Sequence, residues 1–253
     1  MLYFIIAFIA TTLGAIAGLG GGIIIKPILD LMGDFNLGTI SVLSSFTVFT
    51  MAIVATINRV STGFELKRNM VVISIGAMIG GTVGGAIFNL LISSIPTTVV
   101  KISQSSMLII LLIIVLCKHK LPTFNVKNDF LIFLMGILLG SIAAFLGIGG
   151  GPINVAVLCM FLGYKVKDAA VVSVFIILFA QASKLLFILI STGFGQYDLS
   201  VLWFMVIGGV IGGLTGAKLN KSLSEEVISK IFNTMLVAII CINIYNIYNA
   251  FIG

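Results

Sequence analysis

The sequence predicts an all-α integral membrane protein: eight hydrophobic segments in two inverted repeats, the first segment of each repeat being a Gly-broken, re-entrant helix. Three observations lead there. Of 253 residues, 60% are hydrophobic and 9% charged, and mean hydropathy is +1.27, which leaves too little polar surface for a soluble globule. Motifs of the first half recur in the second at a nearly constant offset. Lysine and arginine divide strongly between the two membrane sides under one topology and not under the other.

The first repeat, 1–118, holds apolar segments at 2–33, 39–58, 69–91 and 97–117. A polar stretch at 119–128 reads as a cytoplasmic linker. The second repeat, 129–253, follows the same plan at 129–163, 168–192, 199–217 and 227–250. Most of the charge-free runs are long enough to cross a hydrocarbon core of about 30 Å at 1.5 Å per residue.

The halves match in sequence. Gly18-Leu19-Gly20-Gly21-Gly22 returns as Gly147-Ile148-Gly149-Gly150-Gly151, an offset of 129. Ser61-Thr62-Gly63-Phe64 returns unchanged at 191–194, and the glycine-rich stretch 76–86 returns at 208–218, offsets of 130 and 132. A unit of this length is a duplicated domain rather than a solenoid repeat.

Segments 2–33 and 129–163 are too long for one straight crossing, so each is expected to dip in and return to the same side. Charge counting supports this. With single crossings, Arg59, Lys67, Arg68, Lys118, Lys120 and Lys127 face Lys26, Lys101, Lys165, Lys167, Lys218, Lys221 and Lys230, six against seven. With re-entrant hairpins eleven fall together and only Lys26 and Lys101 lie opposite. The positive-inside rule selects the second topology, with loops 59–68, 118–128, 164–168 and 218–226 cytoplasmic and both termini outside.

Three glycines in a row should open a helix. In a bilayer such a break must be buried in protein or line a cavity. A matched pair of broken segments is the sequence pointer to a transporter binding site. A half-helix is expected to start near Ile23 and Ile153, with free N–H groups and a positive dipole end. Pro152 suits a first turn. Two such ends near the midplane would hold an anion without any basic side chain. The expected contacts are Gly20, Gly21, Gly22 and Ile23 in the first half and Gly149, Gly150, Gly151 and Asn154 in the second. Ser44 and Ser173, at matching positions, and Gln181 and Lys184, one turn apart, complete the set. The competing account makes the glycines mere packing spacers. Lys184 either faces the cavity or snorkels to the surface. Lys26 is noted only as the polar residue after the first break. Gly76, Gly80 and Gly84, with Gly208, Gly212 and Gly216, are expected to let helix backbones touch.

Other chemistries find no support. The glycine runs lack the strand and soluble βαβ setting of a dinucleotide fingerprint. Cys117, Cys159 and Cys241 are isolated. His119, the single histidine, sits in the linker and reads as solvated. The acidic residues lie at loops, leaving no buried carboxylate and no acid–base pair for an enzyme. The lysines follow loops rather than forming a nucleic-acid patch.

The paired glycine motifs, with Ser-Thr-Gly-Phe and the glycine ladders, resemble the sulfite exporter TauE/SafE family of bacterial permeases over essentially the whole chain. The resemblance implies a multi-pass plasma (inner) membrane permease for small sulfur anions such as sulfite or sulfonates. The alternatives are an anion channel or a permease for an unrelated small organic anion. The partners expected are the lipid bilayer and a small anionic substrate, without nucleic acid, metal or cofactor. A homo-oligomer and a coupling ion, H+ or Na+, stay open.

Overall fold

The computed structural model describes residues 1–65, 67–117 and 124–252. Lys118, His119 and Lys120, and with them the expected solvated histidine and two of the counted lysines, lie outside the described residues. Among the described residues the chain is all helical, with ten helices and no strand. They are α1 (Leu2–Ala17), α2 (Gly22–Met32), α3 (Leu37–Ser61), α4 (Arg68–Ser94), α5 (Thr97–Leu116), α6 (Asp129–Leu146), α7 (Gly151–Leu162), α8 (Val166–Ser191), α9 (Leu202–Ser222) and α10 (Glu225–Ile252). Eight segments become ten helices because the glycine runs divide the first into α1 and α2 and the fifth into α6 and α7. Seven helices (α3, α4, α5, α6, α8, α9 and α10) are long and apolar enough to cross a membrane. Large apolar side chains point outward along them, Trp203, Leu138 and Ile190 among them, as a bilayer requires.

The glycine ladders explain how the helices pack. A Cβ on Gly76, Gly80 or Gly84 of α4 would land inside the carbonyls of Phe133, Ile137 and Ser141 on α6. On α9, Gly208, Gly212 and Gly216 lie in the same way against the carbonyls of Phe4, Phe8 and Thr12 of α1. Each glycine helix thus packs on the broken segment of the other half. Backbones this close gain dispersion contacts that larger residues would prevent.

Two ends of the molecule can be told apart by their loops. At one, the Tyr3 hydroxyl donates to Asp34 Oδ2 at 2.6 Å, joining the start of α1 to the loop after α2. The Asp198 N–H donates to Thr39 Oγ1 at 3.3 Å on the same end. α3 then carries the chain about 37 Å at 1.5 Å per residue to an end rich in cations. There Arg59 donates to Asn220 Oδ1 at 2.5 Å, and Lys167 to the Leu223 carbonyl at 2.9 Å. Arg68 pairs with Asp129, and the Lys67 ammonium lies 5.7 Å from the centre of the Tyr164 ring. The described part of the linker joins this end: Phe124 N donates to Met160 O at 2.6 Å and Val126 N to Phe161 O at 2.8 Å.

One expectation changes. Lys26 counts in sequence as a charge on the side opposite the other eleven, but it is buried in α2, 5% exposed, and drops out of the charge count. A lysine four residues past a helix break looks near a loop in sequence, yet the break itself is deep in the protein.

Candidate functional site where the two breaks cross

α1 ends on Gly18 (φ 72°) and α6 on Gly147 (φ 67°). Leu19 N donates to Gly14 O at 2.9 Å and Ile148 N to Ala143 O at 3.3 Å, closing each C-terminus as a left-handed cap. Gly20, Gly21, Gly149 and Gly150 also take positive φ, which an L side chain resists. Gly22 and Gly151 are glycine for a different reason. A Cβ on Gly22 would sit 2.8 Å from the Ile148 carbonyl oxygen, and one on Gly151 would overlap Leu19 backbone. The breaks therefore cross in contact, each glycine facing the other's backbone. Close packing accounts for Gly22 and Gly151, and backbone conformation for the four glycines of positive φ.

α2 starts at Gly22 and α7 at Gly151, with Pro152 in its first turn, as expected. Some of the expected donors are already engaged. Gly22 N donates to Gly20 O at 2.8 Å, and Ile24 and Ile25 both donate to Gly21 O. Ile23 is fully buried.

The two serines brace the crossing. Ser44 Oγ donates to Gly147 O at 3.2 Å, and Ser173 Oγ to Gly18 O at 2.7 Å. Each serine reaches the break of the other half, and the carbonyl it meets is the matched one. These hydroxyls satisfy helix-end carbonyls instead of their own helices, the usual role of serine in a membrane helix.

Lys184 does not snorkel. It is fully buried, and its ammonium donates to Ser41 Oγ at 2.8 Å and Ser45 Oγ at 2.9 Å. The ammonium of Lys26 donates to Gln104 Oε1 and, at 2.6 Å, to Leu146 O, the last carbonyl of α6. Both ammoniums lie over Phe88, at 5.9 Å for Lys26 and 5.7 Å for Lys184. A Cβ at Gly147 would meet Ser41 Oγ and the Lys26 chain, which sets both groups against the second break. Two buried lysines, one of them the expected Lys184, thus stand beside the second break. Ser41, Ser45, Phe88 and Gln104 are absent from the sequence-derived set.

Asn154 and Gln181 stand out differently. Both are 1% exposed, and neither the oxygen nor the nitrogen of either amide has a hydrogen-bond partner. Leaving such groups unmade costs about 1–3 kcal/mol each. They face the second break: a Cβ on Gly150 would lie 3.4 Å from Asn154 Oδ1, and one on Gly149 3.8 Å from Gln181 Nε2. Gly20 and Gly149 share the apolar neighbours Val48 and Ile177, which close the other flank. Among the described residues no group of three or more His, Cys, Asp or Glu could hold a metal ion.

The sequence profile of the sulfite exporter TauE/SafE family matches residues 3–242. A probable membrane transporter protein of Methanocaldococcus jannaschii is similar, 25% identical over 242 residues, with 89% of this chain and 88% of that protein covered. No solved structure gives a significant match. The family is one of membrane transporters and not of enzymes, and its profile spans both glycine breaks and every helix from α1 into α10: the chain belongs to the sulfite exporter TauE/SafE family.

Proposed function

We propose that this protein is a secondary transporter of a small sulfur-containing anion, such as sulfite or a sulfonate. It works by alternating access between two inverted repeats, 1–118 and 129–253, joined by the linker 119–128. The observation that carries the reading is the pair Lys26 and Lys184, buried beside the crossing with neutral hydrogen-bond acceptors. Burying an ammonium whose hydrogen-bond partners are all neutral is expensive, and a bound anion would offset that penalty for both at once. The positive ends of α2 and α7 add to the attraction. Asn154 and Gln181 supply amide N–H donors to oxyanion oxygens, and their oxygens accept from a protonated or hydroxylated ligand.

The inverted topology is supported by the loop contacts. Tyr3 with Asp34 brings the ends of the α1–α2 hairpin together, and Phe124 with Met160 does so for α6–α7 at the opposite end. The cation-rich end is then cytoplasmic. Carrier action is favoured over a channel because Leu19, Ile148, Ser44 and Ser173 are all buried and seal the crossing.

Counterflow in proteoliposomes tests it. Vesicles loaded with unlabelled sulfite should transiently accumulate [35S]sulfite. Flux without counterflow would make the protein a channel, and no flux of any sulfur anion would overturn the substrate class.

A further inference from the structure

Beside Lys26 a water-sized cavity of about 10 Å³ lies between α2, α5 and α10, closed to anything larger, and nothing in the anion-binding argument uses its far end. It is lined by Lys26, Asp30, Lys101, Gln104, Ser105 and Ile148, among others. Ile148 belongs to the second break, so the cavity reaches the crossing. At its other end Lys101 Nζ lies 3.5 Å from Asp30 Oδ1 and also donates to the Asp30 carbonyl at 3.4 Å. The Asp30 side chain is 7% exposed and that of Lys101 26%, so the pair lies at the mouth, with the lysine the more open of the two. Asp30 thus corrects the expectation that every carboxylate would be a loop residue.

Three lysines therefore follow one another inward: Lys101 at the mouth, Lys26 along the wall, Lys184 at the crossing. One carboxylate neutralises the first of them. The matching positions of the second half, at the 129-residue offset, carry Val155 for Lys26 and Cys159 for Asp30, while Lys230 replaces Lys101 on an exposed surface. The scaffold does not require these charges, since its other copy packs α7 without them.

We propose that this cavity is the anion's entry route from the face bearing Tyr3 and Asp34, and that the Asp30–Lys101 pair is its gate. The incoming anion takes the place of the Asp30 carboxylate on Lys101 and passes to Lys26, then to Lys184. The closed pair holds the route shut to anions because Asp30 repels them. This rests on the anion-transport reading, and it makes Asp30 and Lys101 gating residues rather than part of the central site.

The test needs no known substrate. Ser105→Cys, placed in the full chain with Cys117, Cys159 and Cys241 replaced by alanine, is purified into nanodiscs, where both faces are open. It is reacted with methanethiosulfonate reagents of equal reach, one bearing a sulfonate and one a trimethylammonium group. A cation-lined route should speed the anionic reagent about tenfold over the cationic one after correction for intrinsic thiol reactivity. Asp30→Asn should raise the anionic rate further, and Lys101→Met should erase the preference. Equal rates for the two reagents, or no modification with Asp30→Asn present, would overturn the gate. If the charge preference holds but [35S]sulfite shows no flux, the route stands and the substrate class falls.

Discussion

Past the first break, α2 carries Lys26 four residues after Gly22; past the second, α7 carries Val155 at the matching place. The reverse holds one residue earlier, where Asn154 of α7 matches Ile25 of α2. On the long helices that follow, Ser44 and Ser173 match, but Gln181 and Lys184 of α8 face Ala52 and Ala55 of α3. Duplicated backbone and unequal side chains divide the work. Glycines, caps and bracing serines are paired because both halves must make the same break. The polar groups that could meet a ligand are single copies, as the proposed single ligand at one crossing would need.

The comparison breaks most visibly at the shared backbone. Gly151→Ala should cost about 3 kcal/mol or more of stability, since the new Cβ would overlap Leu19 backbone. Gly33→Ala, with positive φ but nothing near its Cβ, should be far milder. Thermal unfolding in detergent measures both. Similar losses would mean the crossing is looser than described. Leucine at Gly21 or Gly150 is the wrong probe of the ligand alone, because both residues have positive φ and Gly150 also packs on Ala143.

The unpaired side chains should behave in the opposite sense. Lys184→Met should weaken sulfite binding roughly thirtyfold, the loss of about 2 kcal/mol from a charge-assisted contact. Its unfolding temperature should stay level or rise, because a buried charge whose partners are two hydroxyls and an aromatic ring, with no carboxylate, is removed. A fall in stability with unchanged binding would make Lys184 a structural clamp. Asn154→Leu sharpens the same point at lower amplitude. It should stabilise the ligand-free protein by about 1 kcal/mol, since an unsatisfied amide disappears, while affinity drops. Destabilisation would show that Asn154 has a structural partner after all.

The paired serines should show an effect of similar size but confined to stability. Ser44→Ala and Ser173→Ala should each cost about 1 kcal/mol of stability, with Ser173 the larger because its bond to Gly18 O is 2.7 Å against 3.2 Å for Ser44 to Gly147 O. Selective loss of binding in one, without loss of stability, would move that serine from brace to ligand.

Much of this architecture is readable in sequence because a bilayer enforces it. Long apolar runs have to be helices, and clustered glycines have to be breaks or close contacts. Matched offsets identified Ser44 and Ser173, and chain chemistry alone singled out Gln181 and Lys184. The groups that hold the lysines were out of reach. Ser41 and Ser45 meet Lys184 from 143 and 139 residues away, and Gln104 meets Lys26 from 78. Serine and glutamine in a membrane helix carry no signal that names such a partner. Depth was equally hidden: nothing in the run from Ile23 to Asp30 separates a buried Lys26 from a loop lysine until α2 is seen to start at the crossing.

The central claim is that an anion sits at this crossing between the two buried lysines, and locating one there tests it directly. Selenite, a heavy analogue of sulfite, can be placed by anomalous scattering in crystals of the intact protein. The account predicts a selenium peak at the second break whose oxygens lie within about 3 Å of the Lys184 or Lys26 ammonium, flanked by Asn154 and Gln181. A peak at the cation-rich end beside Arg59, with the crossing empty, would contradict it.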